Sequence, residues 1–171
     1  MLAVSLMAAP ASAQDALGGV RDLLNATQAI TVFDHVTASG TGGTVTLSGK
    51  VTSHAKREQL ETEVATVPGV RQIVNRIAVL PASATDDGLR HRVARAIYGH
   101  PSFRQYAAMS HPPIRVIVER GRVTLAGQVE TPVQRLVALS IAEGEAKRKV
   151  GDELRSEPRS ADGRGAPPST R

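Results

Sequence analysis

A nine-residue stretch occurs twice in this chain, and the repeat constrains the fold more than any other feature. Gly43-Thr44-Val45-Thr46-Leu47-Ser48-Gly49-Lys50-Val51 returns as Gly121-Arg122-Val123-Thr124-Leu125-Ala126-Gly127-Gln128-Val129. The copies lie 78 positions apart, and Gly, Val, Thr, Leu, Gly and Val coincide without a gap. The mismatches fall at one parity, as expected of a strand whose inner face is held while its outer face drifts. Val45, Leu47, Gly49 and Val51 share one face of an extended strand; Thr44, Thr46, Ser48 and Lys50 share the other. The pattern points to an internal duplication.

The segments around each copy repeat as well. In the first half, Leu17, Val20, Leu23 and Leu24 have helical spacing, and a β-rich run from Ile30 to Ala38 leads into the repeated strand through Gly40-Thr41-Gly42-Gly43. That glycine cluster joins two strands and lacks the Gly-Lys-Ser/Thr ending of a phosphate loop, so it reads as a hairpin turn. Ser53 then caps a helix with Ala55, Leu60, Val64 and Val67 as its apolar stripe, and Pro68-Gly69 stops it. Ile73, Ile77 and Val79 mark a closing strand. In the second half, a helix from about Leu89 turns Val93, Ala96 and Ile97 inward and Arg90, Arg92 and Arg95 outward. A long connection from Pro101 to Pro113 follows. Ile114, Val116 and Val118 then form a strand, the repeat returns, and Thr131-Pro132-Val133-Gln134 opens a helix as a capping box with proline at its first position. Val133, Leu136, Val137 and Ile141 are expected to face inward.

The resulting fold class is α+β: two small αββαβ modules, each a three-stranded sheet with two helices on one face. Residues 15–81 make the first module, 82–88 a linker, and 89–156 the second. After residue 144 the repeat fades. Only Val150 and Leu154 echo Ile73 and Ile77, after a one-residue shift, so the last strand of module two is either degenerate or absent. Residues 157–171 are Pro, Gly, Ser and charge, the composition of a disordered tail. Units of roughly 65 residues bury only about 60% of their unfolded surface, so packing between them would help both.

Met1 to Ala13 carries an apolar run followed by Ala11-Ser12-Ala13, the pattern of a secretory signal peptide cleaved after Ala13, although no basic residue precedes it. The competing reading is an Ala-rich disordered tail. Export to the periplasm is the expectation.

The 171 residues include no Cys and no Trp, two Phe and two Tyr, and a net charge of +5. Without Cys there are no disulfides, thiolate metal sites or cysteine nucleophiles. The charge is zero over 15–80, +3 over 81–144 and +2 over 145–171. A basic second half favours anionic surfaces. With so few aromatics to stack on bases, no nucleic-acid partner is expected. The five His are scattered, and Asp34-His35 and Asp86-Asp87 stand alone as surface features. No catalytic, cofactor or metal residue is indicated.

The Val-Thr-Leu-x-Gly-x-Val strand followed by a helix, the Val67-Pro68-Gly69-Val70 turn before Asn75, and Phe103-Arg104-Gln105-Tyr106 with Pro112-Pro113-Ile114 resemble the tandem BON domain family of bacterial envelope and osmotically induced proteins. The resemblance implies a non-enzymatic, peripheral partner of phospholipid or another envelope component, with a role in envelope stress protection. A protein-interaction or chaperone-like module is the alternative. The glycines matching the family pattern are Gly49, Gly127 and Gly69. Gly49 and Gly127 admit either a close helix or a notch for an acyl chain, while Gly69 suits a helix stop. Phe103 and Tyr106, with Met109 and Ile117, stand near Arg104, Arg115, Arg120 and Arg122 in sequence. They form either an apolar–cationic lipid surface or, for the two aromatics, a cover over the end of the sheet.

Overall fold

The computed structural model describes residues 13–156, with side chains from Ala16 onward. The signal-like segment through Ser12 and the expected tail from residue 157 lie outside them. Module one contains α1 (Ala13–Ala26), β1 (His35–Thr41), β2 (Thr44–Val51), α2 (His54–Ala65) and β3 (Gln72–Val79). Module two contains α3 (Ala84–Gly99), a 3-10 turn (Pro101–Phe103) leading into α4 (Arg104–Ala107), β4 (Ile114–Glu119), β5 (Arg122–Val129), α5 (Pro132–Ala146) and β6 (Gly151–Ser156). The two sheets have orders β1-β2-β3 and β4-β5-β6. In each, the first pair is an antiparallel hairpin and the last pair is parallel. Parallel strands need a crossover, and α2 and α5 supply it. The fold class is therefore the one read from the repeat.

The duplicated strands occupy equivalent places. Gly49 pairs with Val36 on one side and Ile77 on the other; Gly127 pairs with Ile114 and Leu154. Leu47 and Leu125 are both fully buried, each inside its own module's apolar core. Leu154 therefore stands where Ile77 does, and the second module has its closing strand despite the faded sequence. Lys147, at φ 55, ends α5 in the left-handed conformation, so a non-glycine residue stops this helix as Gly69 (φ 87) follows α2.

Several expectations shift. The run from Ile30 is not all strand: Thr31–Asp34 is a turn closed by Asp34 N–H donating to Thr31 O (3.1 Å), and β1 starts at His35. Ala55 is exposed, and α2 buries Leu60 and Val64. The expected linker is shorter, because Ser83 caps Asp86 N–H (3.2 Å) and α3 begins at Ala84. Asp86 and Asp87 in its first turn suit the positive end of the helix dipole. Asp86 is a buried residue and not a surface feature. Its carboxylate accepts from Arg120 N–H (2.7 Å) and Gly121 N–H (2.9 Å), the two positive-φ residues of the β4–β5 turn. Positive φ at both central residues matches the twist of a two-residue hairpin. Arg90, placed outward by helical phase, is buried with it and donates from Nη2 to Val118 O (2.6 Å).

The α5 helix meets its expected phase only in part: Val137 and Ile141 pack against the module-two core as expected, but Val133 and Leu136 do not. Ala138 and Ala142 are buried, while Val133 and Leu136 are 68% and 67% exposed. Small residues let α5 lie close to its neighbours, and the larger apolar residues at its start are left outside.

Candidate functional site

The glycines come first. At Gly49 (φ 130) an added Cβ would lie 2.0 Å from His35 O; at Gly127 (φ 105) it would lie 2.0 Å from Pro113 O. The close neighbour is the carbonyl of the adjacent strand in both cases, neither a crossing helix nor an open notch. These glycines serve the backbone of the hairpin. At Gly69 the backbone is likewise left-handed, consistent with a helix stop.

Phe103 (0% exposed) and Tyr106 (2%) belong to the core of module two, and their rings stack at 6.0 Å. Ile117 is buried too. Buried aromatics cannot reach a bilayer, so the apolar–cationic cluster inferred from sequence proximity is not assembled from these residues. Nor do its arginines converge. Arg115 lies near the start of β4, whereas Arg120 sits in the far turn and Arg122 directly after it, roughly 17 Å along the strand at about 3.3 Å per residue. Arg104 is exposed on α4.

Three other features are brought together. The first is the knot that ties α4 to the start of α5. Tyr106 Oη donates to Gln134 Oε1 (3.0 Å) and accepts from Glu130 N–H (3.1 Å), and Gln105 Nε2 donates to Glu130 Oε1 (2.9 Å). Met109, just after α4, and Val133 and Leu136, in the first turns of α5, are the exposed large hydrophobic residues among the described ones. Met109 N–H returns to Tyr106 O (3.1 Å), so this residue stays beside the knot, in the same segment as Arg104. Sequence reasoning missed Val133 and Leu136 because four apolar residues at helical spacing read as an inward stripe. The flanking Ala138 and Ala142 gave the only hint of a second, tighter face.

The second feature is the junction between modules. Asp34 is fully buried, and its carboxylate accepts from Thr31 N–H and Oγ1–H (2.9 and 2.6 Å), Thr52 N–H and Oγ1–H (2.7 and 2.9 Å) and Lys56 Nζ (2.5 Å). Burial opposes its ionisation. The Lys56 ammonium and the Thr31 and Thr52 donors outweigh that and hold the carboxyl below the usual carboxylate range. The turn so fixed meets module two: Val116 N–H donates to Val32 O (2.7 Å) and Arg115 Nη1 to Thr31 O (3.1 Å). Phe33 packs on the core of module two, 4.9 Å edge-on from His91. Lys50 and Glu119 add an ion pair at 2.5 Å that is partly exposed on both sides.

The third is a cleft of about 1150 Å³ between α1 and β1 of module one and the β4, β5 and β6 strands of module two. Arg21, His35, His111, Arg115 and Arg155 line it. The sequence separates these residues by as many as 134 positions (21 to 155), which explains why no motif announces them. Burial lowers the pKa of His35, Glu153 opposes the shift, and Arg115 and Arg155 reinforce it.

Among the described residues no group of His, Cys, Asp or Glu is placed to hold a metal ion, and no helix is long and apolar enough to cross a membrane. No curated protein matches the chain. Among solved structures, one similar chain is the C-terminal domain of CdsD, "the structural protein of the Type III secretion system of Chlamydia trachomatis". It is 13% identical at a TM-score of 0.31, over 92% of this chain and 67% of that one. A second structure of CdsD from the same organism is 12% identical at a TM-score of 0.33, over 86% of this chain and 64% of that one. Likeness this loose does not bear on function. A family model described as the BON domain matches residues 16–81 and again 85–158. Matched twice by one model and folded twice into one αββαβ unit, this chain belongs to the BON domain family.

Proposed function

We propose that this chain is a non-catalytic protein of the cell envelope that associates peripherally with anionic phospholipid surfaces through the α4–α5 end of module two. BON domains are associated with phospholipid binding and with osmotic and envelope proteins, and the family is generally non-catalytic. The observation that carries the reading is that the exposed large apolar side chains, Met109, Val133 and Leu136, lie on the two segments that the Tyr106–Gln134 hydrogen bond joins, with exposed Arg104 in the first of them. Exposed large apolar side chains on two joined segments are informative in a way that a single exposed leucine is not. Full burial of a Val, Leu or Met side chain contributes roughly 1.5–3 kcal/mol, and an arginine at an anionic leaflet about 1 kcal/mol. Half-insertion of three such residues with one arginine gives weak, reversible, salt-sensitive attachment. Export through the signal-like start and a part in envelope stress protection belong to the same proposal.

Co-sedimentation of the chain with vesicles of phosphatidylglycerol and phosphatidylcholine tests it. Binding at low salt that weakens as salt rises is the expected result; a chain that stays in the supernatant at every salt concentration overturns it. The adaptor reading draws on β3, an eight-residue outer strand that pairs only with β2 in its sheet and could accept a partner strand. A partner captured from envelope extract after detergent has removed lipid would favour it.

A further inference from the structure

The inter-module cleft brings three guanidinium groups (Arg21, Arg115 and Arg155) and two imidazoles (His35 and His111) around one space, with Glu153 as the single carboxylate in its lining. Like charges gathered in a cleft repel one another, and low-dielectric walls focus their field. Arg115 is anchored by Nη1 donating to Thr31 O (3.1 Å), which commits one of the five N–H donors of a guanidinium. Arg21 and Arg155 are exposed and make no ion pair among the described residues. The junction contacts around Asp34 account for how the modules meet. They do not account for cations assembled from α1, β4 and β6 around an open space. Leu24, Ile30, Val36 and Leu154 lie beside the charges and offer apolar contact for an organic group.

We propose that this cleft is a binding site for a small phosphate-class dianion, borne either by a soluble phosphate monoester or by a phosphomonoester lipid headgroup. The site shares no residue with the Met109–Val133–Leu136 patch, so it stands or falls separately from membrane attachment at that patch.

Isothermal titration of the full chain with sulfate and with glycerol 3-phosphate, at low ionic strength and without vesicles, is the test. Saturable binding is expected. The double variant Arg21→Gln/Arg155→Gln should weaken it about 25-fold, at roughly fivefold per arginine. Arg155→Lys should keep most of the affinity. Glu153→Gln, which removes the opposing carboxylate, should tighten binding by about threefold, a gain that misfolding cannot mimic. These three residues are exposed, so unfolding temperatures should stay near that of the parent chain. Vesicles carrying phosphatidic acid then separate the sources. If the double variant also loses affinity for them, the headgroup is the ligand; if it loses only glycerol 3-phosphate, the ligand is soluble. Absence of saturable binding to both small anions, or equal affinity in the parent and the double variant, would overturn the proposal.

Discussion

Lys56 Nζ lies 2.5 Å from Asp34 Oδ2, and that carboxylate is wholly buried. The pair fixes a turn that has no counterpart in module two, where the ungapped equivalent of Asp34 is Pro112. Module one thus acquires a polar anchor at the point where it meets its sibling. Thr31, Val32 and Phe33 then contact β4 and the core of module two, which links local capping to module packing.

Asp34→Asn should lower stability by about 2–3 kcal/mol. Removing one partner of a buried pair typically costs about 3–5 kcal/mol, and here Lys56 keeps partial access to water. Urea denaturation followed by circular dichroism measures it, with a lower midpoint and little change in slope as the expected outcome.

The same carboxylate predicts acid sensitivity. Its folded pKa lies below its ordinary value, so its contribution is complete above the ordinary carboxylate range and is lost as pH falls through the folded value. Denaturation midpoints should decline below about pH 4. The decline should be shallower in Asp34→Asn, because that variant has no carboxylate there to protonate.

Gly49→Ala and Gly127→Ala should each destabilise the chain by about 2 kcal/mol or more. Each forces a side chain into positive φ and sets its Cβ against a strand carbonyl at 2.0 Å. Thermal unfolding of both variants checks this. If the two glycines play the same backbone role, the losses should be similar.

The repeated strand, its hairpin and the helix after it were legible because period-2 alternation and turn glycines act locally. The Val45 and Val123 stretches, the Gly42-Gly43 turn and the Thr131 cap all stand where local rules put them. What escaped depended on tertiary choices. Val133 and Leu136 satisfy one helical stripe, but Ala138 and Ala142 satisfy a closer one, and tight packing selected the alanines. Asp34, Asp86 and Arg90 looked like solvated charges because their partners are mostly backbone groups and distant side chains, which carry no sequence signal. The closing strand β6 survived with little more than Val150 and Leu154, since the parallel register to β5 needs only one deeply buried anchor, Leu154.

Phe103→Ala should cost about 3–5 kcal/mol of stability, the range for emptying a buried phenylalanine site. Differential scanning calorimetry would show a large fall in melting temperature. A membrane-facing phenylalanine would leave that temperature almost unchanged.

The most direct test of the membrane account is the double variant Val133→Ser/Leu136→Ser in vesicle co-sedimentation, paired with its unfolding curve. Both side chains are mostly exposed, so stability should change by no more than about 0.5 kcal/mol per site. The fraction bound to phosphatidylglycerol vesicles should fall at least about tenfold, as expected from losing roughly 1.4 kcal/mol or more of apolar insertion. Undiminished vesicle binding by a folded double variant would contradict the account.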